Sequence, residues 1–222
     1  MFLFFKTIKK KLINLRDIIY ILKDCSSIKD KDKVLFCDLG ANVGKSFLFF
    51  KKFYKKNTTF FLFEPNVNCY KKLLQLTDQL HEKVYVKNFA VSSVSGKFKF
   101  YGSLNLETTE SGSIAQDYVK ACSYYKKKEE IIFVKAINFS SFLKKKSKIF
   151  NKIIVKMDIE GAELNLIESL IKNKTLAMID ILYLEFHSNY VEKSQYIKFK
   201  NRERKIISFI KKKTNTTLRM WH

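Results

Sequence analysis

Short apolar runs alternate along this chain with segments whose apolar residues recur at helical spacing. Lys33 to Gly40, "KVLFCDLG", is continuous rather than alternating, the pattern of a strand buried on both faces. It leads through a glycine turn into a predicted helix from Lys45 to about Lys56. Thr58 to Pro65, "TTFFLFEP", repeats the arrangement and is followed by a predicted helix from Val67 to about Leu76. Lys83 to Ser93 reads as a third strand and Gly96 to Gly102 as an extra, alternating one. Between Ser103 and Glu130 the periodicity weakens, with a loop signal at Ser111 to Ser113, and Ile131 to Phe139 resumes as strand. Lys152 to Lys172 is a buried strand running into a helix that the pattern starts at Glu160. Asp180 to Tyr190 is a fifth strand, Lys193 to Lys213 a helix, and Thr216 to Trp221 a short terminal strand. Strands alternating with helices predict an α/β fold, a mostly parallel sheet with helices on both faces.

In such a sheet, ligands bind beyond the carboxyl ends of the strands, where strand order reverses. Those ends carry Asp38 with a glycine turn, then Glu64, then Asn88, then Asp158 and Glu160, then Glu185 and His187. The first turn, "DLGANVGKS" from Asp38 to Ser46, ends like a phosphate-binding loop. That loop needs four residues between its glycines, and only Ala41, Asn42 and Val43 separate Gly40 from Gly44. A dinucleotide fingerprint would need a glycine at Asn42 and another beyond Gly44, and neither is present. What remains is a glycine turn preceded by an acid, which suits a ligand with a cationic amine and no phosphate.

Composition changes this picture little. The 222 residues match one α/β domain, preceded by a basic amphipathic helical segment over residues 1–30, with the domain over 31–222. Of that segment, the apolar run at the start stops at Lys6, too short for a signal peptide core or a spanning helix. Leu12, Ile13, Leu15, Ile18, Ile19 and Leu22 recur at helical spacing, so the segment either packs against the domain or lies on a membrane surface as a peripheral contact. The net charge of +22 is nearly all lysine, which fits a solvated surface; nucleic-acid readers lean on arginine. Four scattered cysteines without a C-x-x-C pair fit free thiols in the cytoplasm.

Three stretches carry a family resemblance: "DLGANVGKS" from Asp38, "FEPN" from Phe63, and "VKMDIEGAELNLIESL" from Val155 to Leu170. Together they resemble the FkbM-type methyltransferases that depend on S-adenosylmethionine (SAM), over roughly Val34 to His187. The resemblance implies a Rossmann-like class I methyltransferase fold with SAM as cofactor. It implies that Asp38, Gly40, Asn42, Gly44, Glu64, Asn88 and Asp158 form the cofactor site. Asp38 would meet the SAM ammonium directly or through water, Glu64 the ribose hydroxyls, and Asn88 the adenine edge. Asp158 would sit at the methyl-transfer site, with an alternative role as a helix N-cap, and Glu163 would bond within the first helical turn. His187, in "LEFH", is a candidate general base or a hydrogen-bonded histidine at a strand end, with Glu185 beside it as the third catalytic candidate. Asp158, Glu185 and His187 also offer an oxygen and nitrogen donor set like the metal sites of some other O-methyltransferases, but no fixed ligand spacing demands a metal.

Two departures from the family pattern stand out. "NFSS" replaces the usual Leu-Asp after the strand at 131 to 137, and a single terminal strand stands where this fold normally closes with two antiparallel ones. The first functional reading is O-methylation of a small molecule or glycan, with Ser103 to Glu130 as the acceptor loop. RNA methylation, suggested by the charge, lacks an Asn-Pro-Pro-Tyr-like motif, which a chain with one proline excludes. A non-catalytic binding module that keeps the fold is the third reading.

Overall fold

The computed structural model describes residues 15–54, 57–102, 112–126 and 131–221. Its main sheet has six strands in the order β10-β9-β8-β1-β2-β3, every neighbouring pair parallel. These are β1 (Val34–Leu39), β2 (Thr58–Phe63), β3 (Lys83–Lys87), β8 (Lys152–Met157), β9 (Ile181–Leu184) and β10 (Thr217–Met220). The chain runs outward from β1 through β2 to β3, then returns to place β8 on the other side of β1. That reversal leaves a crevice above the ends of β1 and β8. Both β1 and β2 are buried at every residue, as their continuous apolar runs require.

Helices cover both faces. On one lie α1 (residues 15–26), α2 (Lys45–Phe50) and α3 (Val67–Thr77), around a core of Phe36, Phe47, Phe50, Tyr54 and Phe60. On the other lie α4 (Gln116–Ala121), α5 (Ser123–Lys126), α6 (Phe139–Lys146), α7 (Glu163–Lys172) and α8 (Lys193–Lys213), packed on Leu35, Val155 and Leu182. A second sheet, order β4-β7-β5-β6, joins β4 (Ala90–Ser92), β5 (Gly96–Gly102), β6 (Gly112–Ser113) and β7 (Ile131–Asn138). There β5 runs antiparallel to both of its neighbours.

Several boundaries differ from the sequence pattern for identifiable reasons. The first helix stops at Phe50 and gives way to turns, which deliver Tyr54 into the core, where its hydroxyl meets that of Tyr183 at 2.7 Å. Lys55 and Lys56, predicted to extend that helix, lie outside the described residues. The expected third strand is two strands in two sheets. Asn88 breaks it by donating its side-chain amide to the carbonyls of Glu64 (2.9 Å) and Pro65 (3.1 Å). The helix expected from Glu160 begins at Glu163, because Glu160 (φ 52°) and Gly161 (φ 90°) are left-handed. At the sheet edge, β10 is the single terminal strand read from the sequence, and it pairs parallel with β9.

Of the N-terminal segment, residues 1–14 lie outside the described residues. Residues 15–26 pack on the domain: Ile21 is fully buried, and Asp24 accepts from the Tyr183 hydroxyl at 2.8 Å and from the Arg219 guanidinium. Leu15, Ile19 and Leu22 remain exposed on the opposite face. No described helix is long and apolar enough to cross a membrane.

Candidate active site

The crevice begins at the turn after β1. Gly40 has φ 78°, and a Cβ on it would lie 2.0 Å from the backbone oxygen of Asp158. Only glycine therefore lets the β1 turn close against the end of β8. Asn42, at φ 49°, points its backbone N–H at Glu64 Oε2 (2.8 Å), and Glu64 Oε1 accepts the Asn66 N–H at 2.8 Å. The Asn66 side chain meanwhile caps α3. Glu64 is 6% exposed. Burial pushes its carboxyl up to about 7, although the two N–H donors pull the other way. Gly40, Asn42, Glu64, Phe89, Asp158 and Glu160 all line one cleft.

Asp38 lies behind that cleft rather than in it. It is fully buried, accepts the Ser46 hydroxyl at 2.6 Å, and pairs with Lys156 Nζ at 3.2 Å. Asp38 is thus held by an internal ion pair on the inner side of the turn. Lys156, 2% exposed, also pairs with Asp158 at 3.2 Å and donates to the Gly40 carbonyl. Burial favours loss of the proton from this ammonium, but Asp38 and Asp158 more than offset that and raise its pKa, so it stays charged. Gly44, at φ 89°, starts α2 and packs toward Leu73 and Leu76, away from the cleft. Asn88, its side-chain amide donating to the Glu64 and Pro65 carbonyls, lines a neighbouring surface groove.

A second constellation hangs from the ends of β8 and β9. Glu163 Oε1 accepts from the backbone N–H groups of Ile159 (3.0 Å) and Gly161 (3.1 Å) and bonds His187 Nδ1 at 2.8 Å. This is the first-turn role expected of Glu163. Asp158 does not cap α7, whose N-cap is Ala162 without a side-chain bond. It turns instead to Lys156 and to His187 Nε2, at 3.5 Å, the same distance at which Nε2 meets Glu160. Burial disfavours the imidazolium, yet Glu163, Glu160 and Asp158 outweigh it and push His187 up to about 10. The His187 ring is hydrogen-bonded at the strand end through Nδ1, and the raised pKa favours its donor form. Burial likewise pushes Glu160 up to about 7 and raises Glu185.

Asp158, Glu160, Glu185 and His187 line a pocket walled by Tyr118 and Tyr190, with Tyr124 and Tyr125 from α5. Of the stretch from Ser103 to Glu130, residues 112–126 thus supply aromatic walls, and the remainder lies outside the described residues. Gly161 sets their approach, since a Cβ there would lie 2.1 Å from the Tyr118 ring. Asp158 and Glu160 belong to both pockets, so the cleft and the tyrosine pocket adjoin at these two carboxylates. Among the described residues no lysine or arginine lines either one. Sequence reasoning overlooked Lys156, whose signal is a charge inside an otherwise apolar strand. It also overlooked the tyrosines, which carry no periodic signal.

The family model described as the methyltransferase FkbM domain matches residues 38–215. Among solved structures, methyltransferase FkbM from Methylobacillus flagellatus KT aligns with a TM-score of 0.46 at 14% identity, covering 82% of this chain. The chain spans 39% of that protein's length. No curated protein matches.

Proposed function

Because the chain belongs to the FkbM methyltransferase family, we propose that it moves a methyl group from SAM to a hydroxyl of an uncharged acceptor, a small molecule or glycan. The observation that carries this reading is the meeting of two pockets at Asp158 and Glu160. One is a narrow acid-lined cleft at the switch point, and the other is walled by tyrosines.

The cleft fits the cofactor on its own chemistry. Each Glu64 oxygen takes one backbone N–H, leaving lone pairs for two adjacent ribose hydroxyls. The carboxylates favour a cationic ligand over a triphosphate. When bound, SAM supplies an electrophilic methyl on a sulfonium. Gly40 admits the ligand close to backbone, and the Lys156 ion pairs hold Asp158 in place beside it.

In the second pocket the tyrosine faces stack on apolar ring faces, as a sugar presents, and orient its hydroxyls toward the carboxylate rim. Glu160 lines both pockets, and a carboxyl pushed up to about 7 suits a group that takes a hydroxyl proton at neutral pH. His187, holding its own proton, steadies Glu160 in the charged form. The acid lining opposes a phosphate-rich acceptor, so the +22 surface charge does not favour RNA in this pocket.

Calorimetry with S-adenosylhomocysteine tests the reading, with ATP as control. Binding in the micromolar range is expected, weakened about tenfold or more by Glu64→Ala through loss of charge-assisted hydrogen bonds. Tighter binding of ATP, or no binding of S-adenosylhomocysteine, would overturn it.

A further inference from the structure

The helix α1 sorts its residues by sign of charge as well as by polarity. Its two acids turn inward: Asp17 and Asp24 are buried, and Asp24 is tied to Tyr183 and Arg219. The outward side carries no acid. There Leu15, Ile19 and Leu22, each more than half exposed, form one stripe, because the spacing i, i+4, i+7 returns to the same face of a helix. Arg16 and Lys23, seven residues apart and both exposed, run along one flank of that stripe. Beyond them Tyr20 lays its ring against the Arg219 guanidinium at 4.7 Å.

The sequence leading into α1 continues the same chemistry. Residues 1–14 combine the apolar run before Lys6 with Lys9, Lys10 and Lys11, and contain no acid. This sign of charge decides what fits the stripe. A second copy of the chain laid against it would set cations against cations, with no outward acid on α1 to answer them. An anionic lipid surface answers both features, taking the apolar residues at the acyl boundary and the basic ones among the headgroups. At 1.5 Å per residue α1 is about 18 Å long, well short of the roughly 30 Å hydrocarbon core, so it suits lying along the surface.

We infer that the outward face of α1, together with the basic residues that precede it, docks the protein on an anionic lipid bilayer. Asp24 fastens the helix to β9 and β10, so a docked α1 brings the folded domain to the membrane with it. The attachment stands independently of the methyl-transfer reading.

The test is co-sedimentation of the full chain with vesicles of phosphatidylcholine alone and of phosphatidylcholine with about 30% phosphatidylserine. Binding to the mixed vesicles, weakened by salt, is expected, with little to phosphatidylcholine. Ile19→Ser/Leu22→Ser leaves the net charge as it is and should weaken binding about tenfold or more. Both side chains are exposed, so the fold should stand, and circular dichroism checks it. Lys23→Glu should weaken binding about fivefold. Lys212→Glu, exposed on α8 across the sheet, makes the same change in charge and should have little effect. Absence of binding to the mixed vesicles overturns the inference, whether light scattering then finds a dimer closed over the stripe or a monomer. Binding unchanged in folded Ile19→Ser/Leu22→Ser overturns it too. So does equal weakening by Lys23→Glu and Lys212→Glu, which would trace the attraction to the overall charge of +22.

Discussion

Glu160 occupies the point where cofactor cleft and acceptor pocket meet, and its left-handed backbone (φ 52°) is what aims it there. A carboxyl pushed up to about 7 by burial must lose its proton before it can accept one, so the rate should rise with pH through about 7. In Glu160→Gln we expect kcat to fall by roughly 10²–10⁴ and the rise with pH to flatten, with S-adenosylhomocysteine binding largely kept. A profile unchanged in the variant would assign the base elsewhere. The candidate site is legible in the sequence as a set of polar residues that end apolar runs. The direction each one faces is not. Asp38 and Asp158 end adjacent parallel strands, yet one lies sealed behind Lys156 and the other opens on both pockets. His187 reads from its type and place as a base or a hydrogen-bonded histidine; only the three carboxylates around it, from another part of the chain, favour its protonated form.

At the level of elements, buried strands are the most readable feature, since a continuous apolar run has few alternatives. What escapes is pairing. Nothing in "KVYVKNFAVSS" announces that Asn88 will satisfy the carbonyls of Glu64 and Pro65 and so send the chain into a second sheet. The docking of α1 is equally long-range. Asp24, on α1, is 4% exposed and answers Arg219 of β10 and Tyr183 of β9, tying the two ends of the described chain together. Removing one partner of a buried ion pair leaves the other uncompensated, at a cost of about 3–5 kcal/mol. Arg219 is partly exposed, so Asp24→Ala should cost nearer the lower figure, about 3 kcal/mol in urea unfolding. Limited proteolysis should then cut first within residues 15–26. Wild-type stability in the variant would mean that apolar packing of Ile21 alone holds α1.

Across the whole molecule, charge is segregated. Lysine dominates the composition, while acids crowd the two pockets. Burial sets how those acids respond to pH. Glu64 and Glu160 ordinarily titrate near 4.5 and are pushed up to about 7 in the fold. Between those values the native state holds protons that the unfolded chain has lost, so stability falls as pH rises through that window. His187, ordinarily near 6.5, is raised to about 10; its ion pairs stabilise fully below 6.5 and are lost as pH climbs toward 10. Both effects point the same way. In metal-free, ligand-free buffer the melting temperature should therefore decline from pH 5 to pH 9, and His187→Gln should remove the part of the decline above pH 6.5. Surface lysines oppose this trend at low pH, because net positive charge then grows and the fold repels itself. That repulsion is screened by salt, the Debye length shrinking to about 3 Å at 1 M, whereas the buried cluster is screened far less. Adding salt should thus steepen the decline. A melting temperature that is flat or rises toward pH 9 at high salt would mean that the acids of the two pockets are solvated, and with them would go the physical basis for Glu160 as a base.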